Sequence, residues 1–369
     1  MPAAVLREDA LAHNIATMQA FADANGARLC PHGKTSMSPE LFSRQLAAGA
    51  WGMTAATAHH VRVYRRLGIG RVFLANQLAG LADLELVLDA LAADPGFDFY
   101  CLVDSAEGAA LLGDAAAGCP RPLQVLVETG TAGGRAGVRN AGQALVVART
   151  AAGAGLALRG VETFEGVRQT AGEARTQAGA MIDLAIEAAG TIAAAGLFAD
   201  GPVLLSAGGS AFLDLCAAKL PAVIGGRPIE RVIRPGCYVT HDHGLYAGLN
   251  RVPELEPALE VWGAVLSVPE PGLAIVGVGK RDVSHDSGPP VPLFVHRPGA
   301  TERPRAAEDM AVESLWDQHL SLATPAGMLR VGDLVGFGIS HPCATFDRWT
   351  AMLTVDEGYC VTGAVTTLF

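Results

Sequence analysis

Residues 28–57 read RLCPHGKTSMSPELFSRQLAAGAWGMTAAT. A short apolar run, Arg28–Cys30, ends in the polar turn Pro31-His32-Gly33-Lys34; a helical stretch follows and leads to a second apolar run at Gly52–Ala55. That is a strand, a turn, a helix and a second strand in about thirty residues. The same texture recurs, without repeating letters, from about residue 25 to 245. Further apolar runs lie at Val72–Ala75, Phe99–Val103, Val125–Val127, Leu158–Val161, Val203–Ser206 and Arg231–Ile233, most of them followed by Ala/Leu-rich helical stretches. Eight strand candidates alternating with helices predict a (β/α)8 barrel.

In such barrels the chemistry sits in the loops after the strands. The polar residues fall there: Pro31 to Lys34, Thr54 to His60, Asn76-Gln77, Asp104, Glu128 to Arg135, Glu162 to Glu165, Ser206 to Ser210, and Arg234 to Tyr238. After about residue 249 the Ala-rich helices vanish. Pro, Gly and Val alternate through Trp262–Val268, Leu273–Val278, Pro292–Val295, Leu334–Ile339 and Val361–Leu368, which reads as an antiparallel β domain. The expected division is therefore a barrel over 1–248 and a β domain over 249–369, with the first ~15 residues a candidate addition to the β domain.

Composition narrows the function. Half of the 369 residues are apolar and 17% are charged, enough for a large core. The net charge of −10 and the lack of a Lys/Arg cluster argue against nucleic acid, whose phosphates need such clusters. Neither a signal peptide nor an apolar run of membrane-spanning length is apparent. The seven cysteines are scattered with no CxxC pair, as expected of reduced thiols in the cytoplasm.

Three segments carry chemistry. Lys34 follows the first strand candidate beside Pro, His and Gly; partial burial there would lower its pKa and prepare the amine for a Schiff base. By itself it reads first as an ordinary loop lysine, and the surrounding words reverse that. The segment Ser206-Ala-Gly-Gly-Ser210 offers backbone N–H groups to an anion ahead of a helix, where barrels commonly bind phosphate. Taken alone it is as readily a glycine turn with a Ser N-cap. Arg234-Pro-Gly-Cys-Tyr238 places a second anion-suited loop at the eighth strand end, and the two together point to a phosphorylated cofactor.

The combination of PHGKTSMSPELFSRQLAAGAWG, LSAGGS, IRPGCYVTHD and GISHPCATFDRW resembles fold-type III pyridoxal 5'-phosphate (PLP) enzymes, and within them the D-serine dehydratase / D-threonine aldolase group. The resemblance covers nearly the whole chain. It implies an N-terminal PLP barrel with a C-terminal β domain, and a head-to-tail homodimer whose site the partner's β domain completes. By the same resemblance Lys34 is the Schiff-base lysine, and Ser206, Gly208, Gly209, Ser210, the amides of Gly236 and Cys237, and Tyr238 belong to the cofactor site. Arg135, in GTAGGRAGV, matches an arginine near the cofactor's phenolic oxygen. Arg234 matches the place where alanine racemases set an arginine against the pyridine nitrogen, which would weaken the ring as an electron sink. For both arginines an ion pair is the alternative.

His341-Pro-Cys343 is the candidate metal pair. In an extended segment residues two apart share a face, and imidazole plus thiolate suits Zn²⁺ while leaving the shell open, with Mn²⁺ or Mg²⁺ as alternatives. Alone, the pair reads as a buried histidine and a structural thiol; the resemblance makes it the metal pair of D-serine dehydratase-like enzymes. Aldolase members more often carry Asp at the second position. His59, His60 and His319 are candidates to act on the substrate, with solvated, capping or interface roles as alternatives. Phe164, between Thr163 and Glu165, stands where some relatives carry Tyr, and Cys30 where they often carry Arg.

The expected reaction is a metal-assisted dehydration (deamination) of a small D-3-hydroxyamino acid to a 2-oxo acid and ammonia. Retro-aldol cleavage to glycine and an aldehyde is the alternative on the same scaffold. A racemase, or a PLP carrier without catalysis, ranks lower because neither explains the HPC pair and the β domain together.

Overall fold

The computed structural model describes residues 1–164, 166, 171–249, 252, 254–300 and 302–369. The chain divides into two compact units, one made of Gln19–Lys34 and Gln45–Gly236, the other of Met1–Met18, Thr35–Arg44 and Cys237–Phe369.

The chain opens with strand β1 (Ala3–Arg7) and helix α1 (Glu8–Ala24). The barrel strands follow: β2 (Ala27–Leu29), β3 (Met53–Ala55), β4 (Arg71–Gln77), β5 (Asp98–Val103), β6 (Gln124–Thr129), β7 (Ala157–Thr163), β8 (Val203–Ser206) and, after the two-residue β9 (Val223–Ile224), β10 (Arg227–Ile233). They pair in parallel in the order β2-β10-β8-β7-β6-β5-β4-β3. The ends meet through a parallel bridge between His32 and Thr54 and through Trp51 N–H to Leu29 O and Thr54 N–H to Pro31 O, both 2.7 Å. This is the (β/α)8 barrel the sequence predicts, and each of the eight apolar runs overlaps one of its strands, Cys30 and Gly52 falling just outside.

Strands covered on both faces read as unbroken apolar runs, which is why they were visible in the sequence. Inside the barrel, Cys30, Phe73, Tyr100, Leu102, Leu126, Leu204 and Val232 form one buried cluster. Gly160 stands where β7 runs closest to β8: a Cβ there would lie 1.8 Å from the carbonyl oxygen of Leu204. Helices α2 (Pro39–Ala47), α3 (Ala58–Arg66), α4 (Leu81–Ala93), α5 (Ala106–Ala116), α6 (Ala141–Gly153), α7 (Ala171–Ala194) and α8 (Leu213–Lys219) separate the strands. Buried alanines, such as Ala144, Ala148 and Ala151 on α6, present little bulk where the helices pack.

The second unit holds a ten-stranded, mostly antiparallel sheet. Its strands are β1, β11 (Leu259–Glu270), β12 (Leu273–Val276), β13 (Val291–His296), β14 (Arg305–Ala306), β15 (Ala311–Leu315), β16 (Leu320–Ala323), β17 (Leu334–Gly338), β18 (Ala351–Val355) and β19 (Val361–Thr366), with the short helix α9 (Cys343–Phe346) after β17. β1 lies between β11, antiparallel with Ala4 opposite Val261, and β18, parallel with Leu6 opposite Thr354. Val261, Val276, Leu322, Val335 and Phe337 are in its fully buried core. Among the described residues, no helix is long and apolar enough to cross a membrane.

Candidate active site

Lys34 occupies the 3-10 turn Gly33–Thr35, which begins four residues beyond β2. It lines a cavity of about 120 Å³ together with His32, Glu128, Glu162, Gly208 and Arg234. The expected partial burial is not found: Lys34 is exposed in this chain, because the tight turn sets it at the cavity wall and not among apolar side chains. Among the described residues it makes no hydrogen bond or ion pair, which leaves its amine available to a carbonyl.

The floor of the cavity is a buried charge network. Arg234, 4% exposed, donates to Glu162, 1% exposed, and to the hydroxyl of Ser206, and its guanidinium sits 4.9 Å from the ring of Phe73. Glu162 is the register partner of Glu128 on the adjacent strand. Burial, reinforced by the charge of Glu162, pushes the carboxyl of Glu128 up to about 7, against the hydrogen bond it accepts from Gln77. Burial, followed by the positive charges of Lys34 and Arg234, holds His32 well below its ordinary value, so its ring is neutral.

The two anion-suited loops are tied to each other. Gly236 N–H donates to the Ser210 hydroxyl at 3.2 Å, and Arg234 N–H to Gly208 O at 2.8 Å. Gly208 has φ +95°, and a Cβ there would come within 3.0 Å of Cys216 Sγ, so only glycine suits the turn. Ser210 is not an N-cap, because α8 starts three residues later behind Phe212. The Ser206 hydroxyl donates to Val232 O at 3.0 Å and faces the strands. Arg135 is exposed, 5.3 Å over the ring of Phe164, and lines the cavity. Two buried atoms on the cavity wall, Nδ1 of His32 and Nε of Arg234, lack a partner among the described residues. With the unpartnered Lys34 amine and the glycine turn, they fit an anionic cofactor bearing a carbonyl.

In the other unit, Cys237, His341 and Cys343 bring three possible ligand atoms within 4.8 Å of one another. Pro342 is helical (φ −59°, ψ −50°) and Cys343 opens α9, so the pair is not on an extended segment. His341 precedes the N-cap Pro342, and its ring nitrogen still lies within 4.8 Å of Cys343 Sγ, so the metal-capable pair survives the change of backbone. The thiols of Cys237 and Cys343 are 3.5 Å apart. A hydrogen bond from Cys237, opposed by burial and helped by His341, holds Cys343 well below the ordinary thiol value. Burial alone would lower His341, but Cys343 and Asp286 overcome it and raise the imidazole to about 9. His341 Nδ1 meets Asp286 Oδ2 at 2.6 Å, which fixes the ring and leaves Nε2 as the ligand atom. Ser284 buttresses the turn by accepting from His341 N–H at 3.0 Å. A thiolate beside an oriented imidazole is a donor set that fits a divalent metal.

His59, His60 and His319 are not among the residues that line the cavity. His59 is exposed and paired with Arg62 at 2.9 Å. His60 accepts Ala56 N–H on Nδ1 at 3.3 Å, and burial, with His59 and Lys34, lowers it to about 4. His319 lies exposed in the turn between β15 and β16 and is not in the Cys237, His341 and Cys343 group. Tyr238 is buried in the 3-10 turn Cys237–Val239. Cys30 is sealed in the barrel core and receives the Thr54 hydroxyl, so it is not exposed to substrate. Glu165 lies outside the described residues. Sequence reading took Cys237 for its amide and passed over its thiol, and it missed Asp286. Cys237 is 106 residues from Cys343 with no motif linking them, and Asp286 sits in an unremarkable polar loop.

Comparisons with known proteins identify the family and the fold. The alanine racemase N-terminal domain family matches residues 6–222, and a serine dehydratase domain family matches 258–355. D-threo-3-hydroxyaspartate dehydratase of Delftia sp. (strain HT23) is 30% identical over 299 residues, 78% of this chain and 73% of that protein. The crystal structure of D-threonine aldolase from Filomicrobium marinum superposes with a TM-score of 0.82 at 25% identity, covering 100% of this chain and 95% of that one. A cysteine-to-alanine variant of D-threo-3-hydroxyaspartate dehydratase, described as the metal-free form, superposes with a TM-score of 0.80 at 26% identity, covering 100% and 97%. The chain belongs to the D-serine dehydratase / D-threonine aldolase group of fold-type III PLP enzymes.

Proposed function

We propose that this chain is a PLP- and divalent-metal-dependent dehydratase of small D-3-hydroxyamino acids, releasing a 2-oxo acid and ammonia. The observation that carries the reading is the Cys343 sulfur beside the Asp286-oriented imidazole of His341, in the same chain as the lysine-bearing barrel cavity. The Delftia relative, named a dehydratase of a 3-hydroxylated D-amino acid, supports the substrate class.

PLP bound at Lys34 supplies the carbonyl that takes an amine and the conjugated ring that draws electrons from Cα. Lys34 Nζ would hold the cofactor's carbonyl carbon and, as a free amine, would serve as the base for the Cα proton. Arg234, neutralised by Glu162, keeps a polar floor under the cavity without adding net charge there. The Gly208–Ser210 turn and Gly236 would hold the phosphate. His341 and Cys343 would hold the metal, which supplies Lewis acidity toward a hydroxyl oxygen. Soft sulfur favours zinc over manganese or magnesium.

Aldol cleavage is the second reading, favoured by the whole-chain likeness to the Filomicrobium aldolase. It needs a base for the substrate's hydroxyl proton. His60 suits that role poorly, because its Nδ1 already accepts Ala56 N–H and its other nitrogen carries the proton. We further propose a homodimer as the active form and a reducing, cytoplasmic setting; seven cysteines, none in a disulfide, support the latter.

The test is ammonia release from D-serine, D-threonine and D-3-hydroxyaspartate. Turnover should be lost on chelation, recover with Zn²⁺, and fall ~10²-fold or more in His341→Ala. Full turnover in the chelated protein would refute the metal-dependent reading.

A further inference from the structure

We propose that Cys237 is a third protein ligand, completing a two-cysteine, one-histidine metal site with one open position, and that this donor set selects zinc. The inference rests on the metal reading above and deepens it.

Among the described residues, Cys237, His341 and Cys343 are the only three metal-capable side chains of this kind gathered within 4.8 Å. Two thiolates each ~2.3 Å from one zinc ion and at the tetrahedral angle stand roughly 3.8 Å apart. Cys237 and Cys343 stand 3.5 Å apart before any ion is added, so a shared ion asks for almost no rearrangement of the sulfurs. The third donor is aimed independently, because Asp286 holds His341 by its Nδ1.

The backbone fixes this arrangement. Cys237 begins a 3-10 turn closed by Thr240 N–H to Cys237 O at 3.3 Å, and the same carbonyl accepts His241 N–H at 2.7 Å. The segment after it is stitched to the segment before His341 by His243 N–H to Ile339 O at 2.9 Å and Leu245 N–H to Ser340 O at 3.1 Å. Asp242 locks the intervening turn, accepting Gly244 N–H at 2.8 Å and Tyr246 N–H at 3.0 Å. Ligands from two distant stretches of sequence are thus registered by main-chain bonds, the kind of support a preorganised metal site requires.

The chemistry follows from the count. Three protein ligands and one open position are the arrangement of catalytic zinc, the open position serving a substrate oxygen. Two thiolates disfavour magnesium and manganese, which prefer oxygen donors.

Cobalt makes the count visible. The metal-free, PLP-containing protein is loaded with Co²⁺, and its sulfur-to-cobalt charge-transfer band is compared with that of Cys237→Ser and Cys343→Ser. The band should fall by about half in each variant, and Zn²⁺ affinity by at least ~10²-fold. An unchanged band and unchanged Zn²⁺ affinity in Cys237→Ser, with the whole band lost in Cys343→Ser, would overturn the third ligand and leave the metal reading standing. A wild-type protein with no such band would overturn both. X-ray absorption at the zinc edge of the unsubstituted protein needs no variant to fold: two sulfur scatterers at ~2.3 Å are expected, and one would overturn the proposal.

Discussion

Lys34, Asp286 and Glu128 each answer a different question about the chemistry. Lys34→Ala should abolish Schiff-base absorbance near the cofactor's visible band and reduce turnover by ~10³-fold or more, while the melting temperature changes little because the side chain is exposed and unpartnered. Asp286→Asn keeps the shape of the carboxylate but removes its charge from His341; equilibrium titration should find metal affinity ~10–100-fold weaker. Glu128 gives a pH signature. Its carboxyl is raised from 4.5 to about 7 by burial and by Glu162, so the folded protein holds that proton more tightly than the unfolded chain. Its stabilising contribution is therefore complete below pH 4.5 and is lost as pH rises through about 7. The shift corresponds to about 3 kcal/mol. Glu128→Gln should flatten this dependence: between pH 5 and 9 the wild-type thermal midpoint should fall relative to the variant. Parallel midpoints across that range would mean that Glu128 ionises normally.

At the scale of elements, the barrel was legible and much of the β unit was not. Buried parallel strands need apolar residues on both faces, so all eight stood out as runs between polar turns. Gly160→Ala tests their packing. The added carbon would strike Leu204 O, so β7 and β8 must separate; a loss of about 3 kcal/mol in chemical denaturation is expected, and an unchanged midpoint would mean that the strands yield freely. The strands β14, β15, β16 and β18 escaped notice because they are short or partly exposed and lack a long apolar run; β15, for instance, has three exposed residues of five. β1 was missed as a strand because its sheet partners lie more than 250 residues away, in β11 and β18. Pattern alone also put His341-Pro-Cys343 on an extended face. Pro342 instead takes helical angles and serves as the N-cap of α9, its carbonyl accepting the N–H groups of the buried Thr345 and Phe346 at 2.9 Å.

For the molecule as a whole, sequence words located the lysine, the glycine turn and the HPC pair because each is contiguous. The charge network beneath the lysine and the third thiol were not legible. Glu162 meets Arg234 across 72 residues and Cys237 meets Cys343 across 106, and only the folded topology brings either pair together. The central claim is that this assembly eliminates water from a D-3-hydroxyamino acid and does not cleave its Cα–Cβ bond. Product analysis of the PLP-loaded protein with D-threonine, with and without a chelator, tests it most directly. 2-Oxobutyrate and ammonia are expected in equal amounts, lost on chelation and restored by Zn²⁺. Glycine and acetaldehyde in their place would contradict it and make the protein an aldolase.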